Sequence, residues 1–85
     1  MRALFVGGVV DNSELDLDGE RPPLNYPENG GAGHSRYRLS QIGLREDAVV
    51  YAVYAAPELD DASVAQVASE RDYARRFAAT PAAPR

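Results

Sequence analysis

The chain predicts an α+β domain in which an antiparallel sheet of about four strands carries one C-terminal helix on one face, in the order ββββα. Three observations point there. The apolar run Ala3-Leu4-Phe5-Val6 ends in Gly7-Gly8 and opens the chain as a strand. Two strand-like segments, Tyr37 to Leu44 and Ala48 to Ala56, flank the short polar break Arg45-Glu46-Asp47. Finally, Val64, Val67, Ala68, Ala74 and Phe77 recur near helical spacing. The 85 residues make one domain, over 1–79, with 80–85 as a terminal tail that carries Pro81 and Pro84. A chain of this mass buries roughly 60% of its unfolded surface. It has no cysteine to add a disulfide or a thiolate metal site. Stability therefore rests on packing, which a second subunit could supplement.

Taken in order, the first strand leads through Gly-Gly-Val-Val-Asp-Asn, whose glycines and Asp-Asn pair suit a reversal. Glu14 to Asp18 then alternates acid with leucine, the period-2 pattern of a second strand with Leu15 and Leu17 on the buried face. These two strands pair as a hairpin. From Gly19 to Ser35 the prolines Pro22, Pro23 and Pro27 and the Asn29-Gly30-Gly31-Ala32-Gly33 run interrupt both helix and ladder, which leaves a long loop. A two-residue turn at Glu46-Asp47 would pair Leu39 with Tyr54 and Gln41 with Ala52, and set Ile42 beside Tyr51 and Ser40 beside Val53. Asp60 is the preferred N-cap, with Leu59 and Val64 placed as a hydrophobic staple, and Ser63 with Gln66 is the competing capping box. The helix runs from Asp60 to about Ala78 and buries Val64, Val67 and Phe77.

The strand from Val49 to Ala56 is apolar at both parities, yet one helix covers one face. If the helix takes one set, Ile42, Leu44, Val49, Tyr51 and Val53 remain as a patch larger than a monomer leaves open. Either the loop around Leu24 and Tyr26 folds across it, or a second chain, identical or not, docks there, or these residues stay half exposed. These five residues are thus interface candidates, with Tyr51 as the central anchor.

Net charge is −4, and all nine basic residues are arginine. That balance speaks against general nucleic-acid binding, which needs a basic surface. No segment has the span of a membrane helix, and the opening run lacks the pattern of a signal peptide, which predicts no membrane association and a cytoplasmic product. Glu14, Asp16 and Asp18 share one strand face and form a candidate acidic docking face; as a calcium loop the motif lacks its second half. Gly30, Gly31 and Gly33 could cradle an anion with backbone N–H groups, with His34 beside them, although the ending of a phosphate-binding loop is missing. No nucleophile, base and orienting group converge, and nothing calls for a catalytic residue, a metal or a cofactor.

The opening Met1 to Asn12 resembles the start of small uncharacterised phage and prophage proteins, which begin Met-x-x-Leu-Phe-Val-Gly-Gly and continue x-x-Asp-Gly. Here Asn12 takes the place of the last glycine. The Tyr37-x-Leu39 strand, the tyrosine-containing strand from Val49 to Ala56 and the closing helix follow in similar order. The resemblance implies a phage or mobile-element accessory protein, in host cytoplasm or virion, and carries no activity or functional residue with it. The expected function is a non-enzymatic protein-binding module, possible homodimer included, that modulates a host protein or serves in a virion. The alternative is a small-ligand binder that closes the glycine-rich loop over an anionic or nucleotide-like molecule.

Overall fold

The computed structural model describes residues 1–28 and 36–84. Strands β1 (Arg2–Val6), β2 (Glu14–Asp16), β3 (Asn25–Tyr26), β4 (Tyr37–Arg45), β5 (Ala48–Ala55) and β6 (Thr80–Ala82) form one sheet, and helices α1 (Asp61–Glu70) and α2 (Tyr73–Arg76) lie between β5 and β6 in the chain. The strand order is β2-β1-β5-β4, with β3 and β6 both on the far side of β4. The α+β class stands, but the sheet is mixed and has six strands, because β1 runs parallel to β5 while the other pairings are antiparallel. Alternation in the sequence reports which faces of a strand are buried, not which strand lies beside it. β1 has Ala3 and Phe5 on one face and Leu4 and Val6 on the other, all buried, and so belongs at the centre of the sheet beside β5.

The β4–β5 hairpin turns through Glu46 and Asp47, both at positive φ, as a two-residue turn matched to strand twist requires. Leu39 pairs with Tyr54 as expected. Beyond it the ladder slips by one at Ser40, so Gln41 meets Val53 and Ile42 meets Ala52. This bulge sends both Ser40 and Gln41 toward the helices, where their side chains bond Asp61 and Tyr51. A second irregularity between Gly43 and Leu44 makes Val50 the extra residue of β5. Val50 and Tyr51 then both pack on the helix side, and Val49 crosses to the other face beside Ile42.

The helix begins as its cap predicts. The Asp60 carboxylate accepts from the Ser63 backbone N–H at 2.8 Å, Leu59 is half-buried and Val64 is fully buried. It does not run on to Ala78. Asp72 sits in the left-handed region (φ 58), a conformation that Asp tolerates better than most residues, and α2 starts anew behind it. The break turns Tyr73 into the core, while Val67 and Phe77 are only half-buried. Past α2 the chain reverses at Ala78 (φ 50), and Thr80–Ala82, expected to trail off, instead forms β6 along Ile42–Leu44. Pro81 fits there because an outer strand can lack one N–H.

Both sheet faces are buried. On one, Leu4, Val6, Tyr51, Val53 and Ala55 pack under Val64, Ala68 and Tyr73. On the other, Ala3, Phe5, Tyr37, Ala52, Tyr54 and Ala56 pack with Leu17, Tyr26 and Leu39. Tyr26, expected with Leu24 over the face that carries Tyr51 and Val53, packs instead on this one, and Leu24 is 68% exposed. The Tyr54 hydroxyl donates to the Pro23 carbonyl at 2.8 Å and ties the proline segment down.

Candidate functional site

The segment that joins β1 to β2 is held from three sides. Gly7 and Gly8 both have positive φ, and a Cβ on Gly8 would lie 2.5 Å from the Tyr37 hydroxyl oxygen. That hydroxyl donates to the Gly7 carbonyl (2.7 Å) and accepts from Val10 N–H (3.1 Å). Asp11 closes the turn by accepting from Gly7 N–H at 2.7 Å, and Arg71 grips both of its carboxylate oxygens at 2.9 and 3.0 Å. The Gly7 N–H, followed by the Arg71 guanidinium, holds the Asp11 carboxyl below its usual range. Arg71 also donates to the Phe5 carbonyl, so the break between α1 and α2 serves the turn. Asn12 at φ 67 occupies a position suited to glycine or asparagine. The Gly-Gly and Asp-Asn of the opening motif thus have structural reasons in this turn.

What the turn presents is apolar. At its tip Val9 is 84% exposed and Val10 41%, and Leu15 on β2, expected to be buried, is 38% exposed. Together with Tyr26 and Pro27 they wall a groove of about 360 Å³ whose floor is Phe5 and Tyr37. The floor is firmly packed: the Phe5 ring meets Tyr37 edge-on at 5.3 Å and Tyr26 at 5.4 Å, and stacks on Tyr54 at 5.7 Å. Of the polar lining groups, the Tyr37 hydroxyl is committed to the turn, and Glu14 is held by Arg2 (3.1 Å) and Arg76 (2.9 Å). Chemically the groove offers apolar contact on a braced frame.

The interface candidates from the sequence are not brought together on the surface. Tyr51 and Val53 are fully buried under the helices, where burial pushes the Tyr51 phenol pKa up, and Ile42 is buried on the opposite face, where it lines a pocket with Pro22. Leu44 and Val49 are half-buried. The helices take the Tyr51 parity and the loop takes the other, so no open patch forms at β5. Glu14 and Asp16 do share a face and both bond Arg2, with Glu14 also bonded to Arg76. Asp18 is exposed beyond the end of β2. Gly30, Gly31, Gly33 and His34 lie outside the described residues.

Sequence patterning missed the groove because Val9 and Val10 stand in a turn, where apolar residues add nothing to a periodic signal. Two valines directly after a Gly-Gly reversal were the available clue. A separate polar cluster fastens the helix start: Arg38 and Ser40 bond Asp61 at 2.6 and 2.7 Å, and Arg38 also bonds the Leu59 carbonyl. The Ser40 hydroxyl and then Arg38 lower the Asp61 pKa. Among the described residues no cluster of acids and histidine is placed to hold a metal ion, and no helix is long and apolar enough to cross a membrane. Compared with known proteins, the chain matches no family model, no curated protein and no solved structure.

Proposed function

We propose that the protein is a small protein-binding module whose contact surface is the groove between the β1–β2 turn and the Tyr26–Pro27 segment. One observation carries this. Val9 and Val10 are held out in water by a turn that Tyr37, Asp11 and Arg71 fix in place. An apolar tip that is both exposed and braced loses little conformational freedom on binding, which favours association. The groove floor adds aromatic surface of the kind that anchors interfaces. The similarity of the opening residues to phage and prophage proteins supports a role as an accessory protein that modulates a host protein or joins a virion. In this proposal the binding surface is the groove, in place of the β5 face.

Val9→Asp tests the reading, because the side chain is outside the core. The variant should melt within about 0.5 kcal/mol of the wild type and lose a partner that the wild type and a Leu24→Asp control both retain. Retention of that partner by Val9→Asp would sink the proposal. Displacement of the partner by a small apolar molecule would favour ligand binding instead.

A further inference from the structure

The groove is bounded on one side by β2, and among the described residues no strand pairs with the outer edge of β2. The β1–β2 ladder fixes which backbone groups face that edge. Met1 and Leu17 exchange both hydrogen bonds, at 2.8 and 3.0 Å, and Phe5 N–H donates to the Ser13 carbonyl at 3.0 Å. In the same register Ala3 stands opposite Leu15, whereas Arg2 with Asp16 and Leu4 with Glu14 fall between the bonded pairs. Antiparallel strands alternate bonded and non-bonded pairs, so Glu14 and Asp16 each turn their N–H and C=O away from β1. We propose that an extended peptide strand adds to this edge, its apolar side chains over the groove and its lysines or arginines facing Glu14 and Asp16; the groove half of the proposal rests on the reading above.

The two faces of β2 dictate the two faces of the guest. Leu15 lines the groove, whereas Glu14, which borders the groove, and Asp16 turn their carboxylates to Arg2, Glu14 also to Arg76. A paired strand places its side chains beside these in the same alternation. Charge selects the occupant. Glu14 already has two arginines, but Asp16 is 80% exposed with one, and Asp18 and Glu20 follow in water. A second copy that paired through β2 would set Glu14 and Asp16 against their own counterparts, and like charges directly opposite destabilise a sheet. The acids thus disfavour self-pairing at the edge and leave it open to a basic strand.

The probes are a labelled octapeptide of alternating lysine and valine, its glutamate–valine counterpart, and the two lysine–valine peptides N-methylated at every second residue, one for each phase. Anisotropy and amide NMR report affinity and position. The lysine–valine peptide should bind, shift the Glu14 and Asp16 amides and protect them from exchange. One of the two N-methylated peptides should bind at least about tenfold more weakly, a loss of about 1.4 kcal/mol, and Asp16→Lys should move the preference toward the glutamate peptide. Failure of the lysine–valine peptide to bind, equal binding of the two charge types, or binding that leaves the Glu14 and Asp16 amides unchanged would overturn the proposal. So would a wild-type dimer by sedimentation that excludes the peptide. Edge shifts that survive in Val9→Asp would support strand addition while removing the groove from the function, so the two readings fail separately.

Discussion

At the scale of single residues, Gly43 and Asp11 each hold a position that another residue would not fill. The Tyr51 ring lies across Gly43, and a Cβ there would come within 2.0 Å of the ring carbon Cε2. Tyr51 is fully buried. Gly43→Ala should therefore destabilise by about 3 kcal/mol, the upper part of the range for overpacking; a wild-type melt would show that the ring moves aside. Asp11 carries the pH dependence of the turn. Its folded pKa is below the unfolded value of about 3.9, so its contribution is complete above that value and is lost as pH falls through the lower, folded one. Asp60 and Asp61, also lowered, act in the same direction. Asp11→Asn should be less stable than the wild type at pH 7, with the difference shrinking below about pH 4. An equal difference at pH 7 and at pH 2.5 would exclude the carboxylate as the source.

At the scale of elements, β6 tests how much of the sheet depends on the last residues described. Thr80–Ala82 covers the edge of β4 at Ile42–Leu44, and Arg45 bonds the Phe77 carbonyl at 2.9 Å just before it. Ending the chain at Ala79 should cost about 2 kcal/mol, since the lost pairing spans three residues and a backbone hydrogen bond is worth about 1 kcal/mol. An unchanged melt would mean that 80–82 adds nothing to the sheet. A continuous helix to Ala78 would carry Tyr73 along one straight axis; the left-handed Asp72 lets the chain bend so that Tyr73 enters the core, and Arg71, just before it, reaches Asp11 and Phe5.

At the scale of the whole molecule, a sheet buried on both faces decides where a partner can dock. Tyr51, at the centre of the helix-side core, contacts Tyr73 at 6.3 Å and Phe77 at 5.4 Å between ring centroids. Tyr51→Arg would both empty the space of an aromatic ring and bury an unpaired charge, so a loss beyond about 4 kcal/mol is expected. Thermal melts and sedimentation distinguish the cases, since a well-folded Tyr51→Arg monomer would place this residue back on the surface. The exposed Val9 offers the contrasting case, a substitution at the groove that leaves the fold intact.

Local chemistry alone determined much of this protein. The Asp60 cap, the Glu46-Asp47 turn and the Leu39–Tyr54 pair were legible because each depends on residues near in sequence or on one short connection. The apolar character of both parities at 49–56 likewise announced a strand buried on two sides. Tertiary structure decided the rest. A parallel β1–β5 pair, the β-bulge at Ser40, a strand at Thr80–Ala82 and the helix break at Asp72 all arise from contacts between distant segments. Which face of β5 the helices took followed from the slipped register and from the tyrosines that fit beneath them. The candidate site belongs to this second class. Val9, Val10 and Leu15 become a groove only when Tyr26, Pro27 and Tyr37 arrive from the other end of the sheet, and no spacing within the chain encodes that meeting.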